Sequence, residues 1–302
     1  MQNRSITETI AISWKDYYAL CKPNVVALIV FTAVVGMFLA APTMPPWDAL
    51  IWGTIGIGLA SASAAAINHV VDHRIDTIMA RTMRRPLPKG NVSIVNAIIF
   101  AWFLGTISMG ILAFLVNPLT AALTAISLIG YGFIYSMFLK RATPQNIVIG
   151  GAAGAAPPVL GWTAVTGSLD PNSLLLFLII FAWTPPHFWA LAIYRREEYK
   201  AVDVPMLPVT HGVEYTRLHI LLYTIIMSIV TLLPYLVQMC GTFYLVCSTL
   251  LNAMFLYYAI RMQFDHDDRL AMKTFSYSIV YLMLLFAALL IDHYIPLVAS
   301  VL

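Results

Sequence analysis

Three polar residues recur at every fourth position where the second apolar stretch of the chain ends. Asn68, Asp72 and Asp76 share one face if that stretch continues as a helix, because residues four apart lie one turn above each other. Two carboxylates and an amide supply oxygen ligands, which suit a hard cation such as Mg²⁺. The spacing therefore predicts a metal site at this helix end. The alternative is a solvated loop with ion pairs on a helix surface.

Basic residues follow the carboxylates directly, namely Arg81, Arg84, Arg85 and Lys89. Guanidinium and ammonium groups bind phosphate oxygens, and Mg²⁺ often binds through one or two carboxylates together with substrate phosphates. A patch for lipid headgroups would be basic only. Acidic and basic groups this close together favour a metal–diphosphate site.

A second acidic and basic cluster follows a later apolar stretch, and it contains Arg195, Arg196, Glu197, Glu198, Lys200 and Asp203. Both clusters lead into a Leu-Pro pair and a glycine, in segments 87–90 and 207–212. This similarity predicts a parallel internal repeat, with spans 1–4 (about 25–138) matching spans 5–8 (about 146–261) and residues 275–295 as an addition. Membrane proteins often place a site where repeats meet.

The composition shows which elements must hold these residues. The chain has 302 residues, of which 60% are hydrophobic and 10% are charged, and its mean hydropathy is +0.82. Soluble domains are about 25% charged, so a soluble enzyme is excluded. The net charge of +3 is too small to indicate a nucleic-acid partner. The chain is expected to be an all-α, polytopic membrane protein with a single intramembrane domain.

Nine apolar stretches are long enough to cross a hydrocarbon core of about 30 Å. They are residues 25–41, 48–68, 93–116, 118–138, 146–166, 173–193, 217–237, 241–261 and 275–295. All 17 Lys and Arg residues fall in segments 1–24, 69–92, 139–145, 194–217 and 261–274. With nine spans these segments share one side, which the positive-inside rule makes cytoplasmic. The expected topology is therefore N-in and C-out. The small residues and proline pair of 150–161 indicate close packing and a kink.

Specific motifs in the chain resemble those of a known family. The pattern Asn68-x-x-x-Asp72-x-x-x-Asp76, followed by Arg81-Thr82-x-x-Arg85-Pro86-Leu87-Pro88, resembles the first aspartate-rich motif of the intramembrane, UbiA-type prenyltransferases. Within that superfamily the chain is most similar to the branch that farnesylates haem B, through segments 22–24, 139–162, 183–199 and 205–212. It departs from the family pattern at Glu198, where Asp is more usual, and at Val202-Asp203, where Ala-Gly is common.

The resemblance implies a fold, an activity and a location. The fold would place nine transmembrane helices around a central cavity that opens to the cytoplasmic side of the cell inner membrane. The reaction would be Mg²⁺-dependent transfer of a farnesyl group from farnesyl diphosphate to the vinyl group of haem B, which gives haem O and diphosphate. The implied partners are these two substrates, the lipid bilayer and a downstream haem-modifying or oxidase-assembly protein.

The resemblance also suggests roles for individual residues. Asn68, Asp72 and Asp76 are expected to be catalytic metal–diphosphate ligands, with Glu198 as a further metal ligand of the second motif. Glu197 and Tyr194 belong to that second motif as weaker candidates. Candidate diphosphate contacts on the cytoplasmic face are Lys22, Arg81, Arg85, Lys140 and Arg141. For each basic residue the alternative is an anchor at the membrane surface.

His187 is the histidine expected to meet haem, since an imidazole within a span needs a partner and could be an axial ligand or contact a propionate. The other six are interpreted as interface residues: His69, His73, His211, His219, His266 and His293.

Two other functions share part of this pattern. A prenyltransferase for an aromatic quinone precursor would carry similar carboxylates, and segments 143–155 and 183–191 favour the haem branch over it. A secondary transporter also has repeats and intramembrane polar groups, but it needs a polar site near the midplane. Here the charge clusters lie on one face, which argues against transport.

Overall fold

A computed structural model describes residues 13–265 and 267–299, so Arg4 and His266 lie outside the described part. In that part all regular elements are helical, as expected. They are α1 (Trp14–Leu20), α2 (Pro23–Leu39), α3 (Trp47–Val71), α4 (His73–Asp76), α5 (Ile94–Ile111), a π-helix (Leu112–Val116), α6 (Pro118–Ile129), a second π-helix (Gly130–Leu139), α7 (Lys140–Ala142), α8 (Asn146–Ala155), α9 (Pro157–Thr166), α10 (Pro171–Tyr194), α11 (Arg196–Lys200), α12 (Leu207–Thr210), α13 (Val213–Val230), α14 (Leu233–Leu236), α15 (Thr242–Phe264) and α16 (Asp268–Ala299).

Eight helices of the described chain are long and apolar enough to cross a membrane. They are Trp47–Val71, Ile94–Val116, Pro118–Ala142, Asn146–Thr166, Pro171–Tyr194, Val213–Leu236, Thr242–Phe264 and Asp268–Ile295. The bent pair α1 and α2, which meet at 53°, makes a ninth if it is one span. The N-in, C-out topology and the central cavity stay predictions.

One helix begins well before the predicted span. The last span was expected at 275–295, but α16 begins at Asp268. A span predicted from hydropathy stops at charged residues such as Arg269 and Lys273. Arg and Lys nevertheless have high helix propensity, so the helix itself can include them. The polar start of α16 therefore extends beyond the apolar stretch.

The helix is broken within the small-residue stretch 150–161, and its second half packs closely against α2. α8 ends at Ala155 and α9 begins at Pro157, so the proline pair stands at the first positions of a new helix. A Cβ atom on Gly161 would lie 1.9 Å from the Ala33 carbonyl oxygen, and one on Gly36 would lie 2.2 Å from that of Pro158. Only glycine lets the backbones of α2 and α9 approach so closely.

Prolines do not always break these helices. Pro185 and Pro186 lie inside α10, which runs unbroken past them. Each proline lacks the backbone N–H that would bond to the carbonyl four residues earlier, at Phe181 and Ala182, and α10 continues without these two bonds. The Thr184 hydroxyl donates to the Ile180 carbonyl in the preceding turn at 2.8 Å.

The two Leu-Pro segments end in similar backbone geometry. Gly90 has a φ of 76° and Gly212 a φ of 87°, conformations that favour glycine. This likeness accords with the internal repeat, which stays a prediction along with its boundaries.

Candidate active site

The first polar motif lies where α3 ends. Asp72 stops α3, and α4 continues for one turn to Asp76. The helix is therefore interrupted at Asp72, but the backbone N–H of Asp72 donates to the Asn68 carbonyl at 3.0 Å, and that of Asp76 to the Asp72 carbonyl at 2.8 Å. These bonds keep the three residues a turn apart, as the spacing predicts. All three side chains are buried.

Basic residues from separate elements contact this motif. Lys22, between α1 and α2, donates to the amide oxygen of Asn68, and the Asn68 amide donates to Asp72 Oδ2 at 3.0 Å. Lys140, in α7, donates to the same Asp72 oxygen at 2.6 Å. Arg85 donates to Asp76 Oδ2 at 2.6 Å. We call Lys22, Asn68, Asp72 and Lys140 the polar chain.

The polar chain leaves one strong acceptor without a partner. Asp72 Oδ1 is buried and accepts no hydrogen bond within the described part of the chain. A buried carboxylate oxygen without a partner is costly, so it is usually explained by a ligand, an ion or water. Oxygen donors of this kind fit Mg²⁺, and the adjacent Lys and Arg side chains fit phosphate.

The second motif holds its carboxylates differently. Glu198 accepts a hydrogen bond from Arg195 through Oε1, while its Oε2 is buried and has no partner among the described residues. The Glu197 side chain is 76% exposed and lies 3.3 Å from Arg196. Glu198 thus offers a free buried oxygen, whereas Glu197 lies at the surface. Asp203 is also exposed, with a φ of 52°.

The two motifs come together in the folded chain. Ile75 and Met79 of the first loop share one hydrophobic cluster with Tyr199, Val204 and Leu207 of the second.

Tyr199 lies within electrostatic reach of both motifs. Burial raises its pKa, Arg81 opposes that rise, and the carboxylates of Glu198 and Asp72 add to it. Charged groups of both motifs thus act on Tyr199, which also belongs to the hydrophobic cluster that the two motifs share.

No group of three or more His, Cys, Asp or Glu side chains is arranged to hold a metal ion by itself within residues 13–265 and 267–299. Asp72 and Asp76 are the two buried carboxylates of the first motif, and the third oxygen donor there is an amide. A cation at this position would need further oxygen ligands, which substrate phosphates commonly supply.

The remaining predicted residues are placed less tightly. Arg81 and Arg141 are exposed, and the structure gives neither side chain a hydrogen bond or ion pair among the described residues. Tyr194 is also exposed, with the Arg195 guanidinium 5.2 Å from its ring centre.

His187 is buried in α10, and its ring stacks between Trp183 and Phe275 with centroid distances of 4.2 and 4.6 Å. Its Nδ1 lies 2.6 Å from the Ser278 hydroxyl. These contacts meet the need of a buried imidazole for a partner. Its expected contact with haem stays a prediction.

Two buried polar residues lie near the site in roles that the sequence did not indicate: Asn146 was not a candidate, and His69 was expected to be an interface residue. Asn146 donates to the Lys140 carbonyl at 2.9 Å, and its own amide oxygen is buried without a partner. His69, next to Asn68, is buried with both ring nitrogens unpartnered in the described chain. A polar residue at the end of an apolar span was the available signal for both.

Known proteins match this chain over most of its length. The model of the UbiA prenyltransferase family matches residues 29–294. A protoheme IX farnesyltransferase from Hahella chejuensis is 59% identical over 99% of this chain and 100% of its own length. One from Shewanella pealeana is 61% identical over 93% of this chain and 94% of its own.

Solved structures share the fold at low sequence identity. An apo UbiA homolog from Aeropyrum pernix is 18% identical, with a TM-score of 0.71 over 89% of this chain and 98% of its own. A UbiA homolog from Archaeoglobus fulgidus, bound to GPP and Mg²⁺, is 17% identical, with a TM-score of 0.60 over 91% of this chain and 99% of its own. From its matching residues and its full-length relatives, the chain belongs to the UbiA prenyltransferase family.

Proposed function

We propose that this membrane prenyltransferase transfers a farnesyl group from farnesyl diphosphate to a vinyl group of haem B. The observation that carries the proposal is the polar chain with its free Asp72 Oδ1, next to a hydrophobic cluster that residues of both motif loops share. The choice of haem B rests on the relatives named protoheme IX farnesyltransferase, which match the chain over nearly its whole length.

The atoms of the reaction balance without a protein nucleophile. The bond between the allylic carbon and its diphosphate oxygen breaks, and the vinyl group forms a new carbon–carbon bond with the allylic cation. Water adds to the resulting porphyrin-side cation and loses a proton. The products are haem O, with a hydroxyethylfarnesyl substituent, and diphosphate.

Mg²⁺ would be held by Asn68, Asp72 and Asp76, with Glu198 from the second motif. When bound, this ion would offset the negative charge that grows on the diphosphate leaving group. The free Asp72 Oδ1 and Glu198 Oε2 support this assignment. Structures of the Archaeoglobus fulgidus homolog bound to GPP or DMAPP with Mg²⁺ also support it.

The basic residues bind and orient the diphosphate in this proposal. Lys22, Lys140 and Arg85 hold the motif side chains and can also turn N–H donors toward phosphate oxygens. Arg81 and Arg141 have no partner in the described chain, so they can reach the diphosphate without breaking an ion pair. Fixed positive charge aimed at the leaving group lowers the barrier to ionisation.

The surroundings of the site protect the cation from water. Ile75, Met79 and Leu207 are buried beside the motifs, and the apolar farnesyl chain fits between apolar helices. Exclusion of water prevents hydrolysis of the reactive intermediate until the vinyl carbon attacks. His187 is proposed to contact haem, either as an axial ligand or through a haem propionate.

The site would face the cytoplasm from the inner membrane, with nine spans around a central cavity. The distribution of Lys and Arg supports this orientation. The product is lipid-soluble, so a downstream haem-modifying or oxidase-assembly protein is its proposed recipient.

A direct test incubates membranes that contain the chain with haem B and farnesyl diphosphate, and measures haem O by mass. The expected result is haem O formation that requires Mg²⁺ and stops with a chelator. A matched reaction with an aromatic quinone precursor should give no prenylated product. Prenylation of that acceptor and not of haem B would overturn the proposal.

A further inference from the structure

A groove lies outside the polar chain, between the end of α10 and the facing surfaces of α15 and α16. Its volume is about 470 Å³, and its lining includes Tyr194, Tyr258, Arg269, Met272, Lys273 and Tyr277. None of these residues takes part in the polar chain. The groove is open along one side, so a ligand can enter it from outside the protein.

The groove is lined by two cationic side chains that form no ion pair in the described part of the chain. Arg269 and Lys273 lie one turn apart near the start of α16, and neither side chain has an ion-pair partner among the residues that the structure describes. The two acids next to Arg269 in sequence have other partners: Asp268 pairs with Arg196 at 2.6 Å, and Asp267 accepts the backbone N–H of Arg269 at 2.9 Å. The two cations are therefore available to an anion from outside the chain.

Beyond these cations the same face of α16 continues through Ser276 and Tyr277 to Val280. Met272, which lies between the two cations in the helix, and Val280 are about 12 Å apart along the axis, given a rise of about 1.5 Å per residue. Tyr194, Tyr258 and Tyr277 add rings with polar tips, which suit the boundary between headgroups and acyl chains. The two cations thus lie toward one end of the groove on α16, and Val280 lies toward the other.

We propose that this groove is a binding site for an anionic phospholipid of the bilayer. Its phosphodiester would bind Arg269 and Lys273, and one acyl chain would lie along Met272 and Val280. Basic pockets between transmembrane helices bind anionic lipid headgroups in this way. The matching polarity of the groove and of a lipid carries the assignment, which does not depend on the proposed reaction.

The test is native mass spectrometry of the detergent-purified protein, titrated with phosphatidylglycerol or phosphatidylcholine. The wild-type chain should retain phosphatidylglycerol in preference to phosphatidylcholine. The double variant Arg269→Gln/Lys273→Gln should bind phosphatidylglycerol about 30-fold more weakly, from the typical contribution of two basic residues to binding of an anionic lipid. Lys15→Gln/Arg74→Gln removes two exposed charges elsewhere and should change binding less than about twofold.

A second measurement uses the wild-type chain alone, so it does not depend on a variant that folds. Phosphatidylglycerol with a photoreactive group on its acyl chain should label the segment 272–280 of α16. Labelling confined to other helices, or equal loss of binding in both double variants, would overturn the proposal. Displacement of phosphatidylglycerol by a non-hydrolysable farnesyl diphosphate analogue would also overturn it, because the groove would then bind the prenyl substrate.

Discussion

The two motif loops hold their carboxylates in different ways. In the first loop, Asp72 and Asp76 are buried, and Asp72 meets Lys140 from a distant part of the chain. In the second, Glu197 and Glu198 pair with the adjacent Arg196 and Arg195, within or beside the same helical turn. Similar sequence clusters thus give one site built by tertiary packing and one built locally.

The difference indicates how the work of the site is divided. A buried carboxylate in a low-dielectric environment interacts strongly with a cation, whereas an exposed one is screened by water. The first loop should therefore dominate binding of the metal and diphosphate, and Glu198 should assist from the second. Substitutions in the first loop should therefore have larger effects than matching substitutions in the second.

Asp72→Asn is expected to have the largest effect on turnover. It removes the charge whose free oxygen is the proposed metal ligand, and loss of one such electrostatic contact costs about 10²–10³-fold in rate. Haem O formation by membranes, measured by mass, gives the rate. Asp48→Asn, at an exposed position in the first turn of α3, should leave turnover unchanged. Near wild-type turnover by an inserted Asp72→Asn variant would contradict the role of the first loop.

Lys140→Met is expected to destabilise the fold more than Arg196→Met. The Lys140 and Asp72 side chains are 14% and 6% exposed, and loss of one partner of a buried pair costs about 3 kcal/mol or more. Arg196 and Asp268 are 37% and 35% exposed, and such a pair contributes about 0–1 kcal/mol. Denaturant unfolding in detergent measures both changes. Equal losses of unfolding free energy in the two variants would contradict the difference in burial between the two ion pairs.

Glu198→Gln should reduce turnover about tenfold, which corresponds to one charged contact of roughly 1.4 kcal/mol. Glu197→Gln should change it less than about twofold, because its side chain is 76% exposed. The same product assay separates these two neighbours. A larger effect at Glu197 than at Glu198 would contradict the assignment of Glu198 as the metal ligand of the second loop.

Tyr199→Phe is expected to have the smallest effect, confined to alkaline pH. Burial raises the pKa of Tyr199, so the folded chain keeps its proton when the unfolded chain has lost it. The stability from this shift is complete below about pH 10 and is lost as pH rises through the higher folded pKa. Stability should therefore fall more steeply above about pH 10 in the wild type than in Tyr199→Phe. Parallel pH profiles of the unfolding free energy would contradict the shift.

Much of the fold follows from local patterns in the sequence. Apolar length predicts the membrane helices, and the proline pair at 157–158 predicts the break between α8 and α9. Spacing also predicts the stacking of Asn68, Asp72 and Asp76. These features depend on residues close together in the chain, so periodicity and backbone chemistry suffice to predict them.

Long-range partners in the site could not be predicted in the same way. Lys22 and Lys140 were expected to contact diphosphate, but their bonds to Asn68 and Asp72 depend on how distant helices pack. The π-helical segment Gly130–Leu139, which leads into α7 and Lys140, has no reliable sequence signal either. Asn146 holds the Lys140 carbonyl only because α7 turns back onto α8.

The most direct test of the central claim asks whether both loops hold one cation. Mn²⁺ in place of Mg²⁺ can be titrated by electron paramagnetic resonance, in the presence of a non-hydrolysable farnesyl diphosphate analogue. Asp72→Asn should weaken Mn²⁺ binding most, and Glu198→Gln should weaken it less but measurably. Unchanged Mn²⁺ affinity in either variant, in protein that remains folded, would show that the carboxylates of the two loops do not serve a common site.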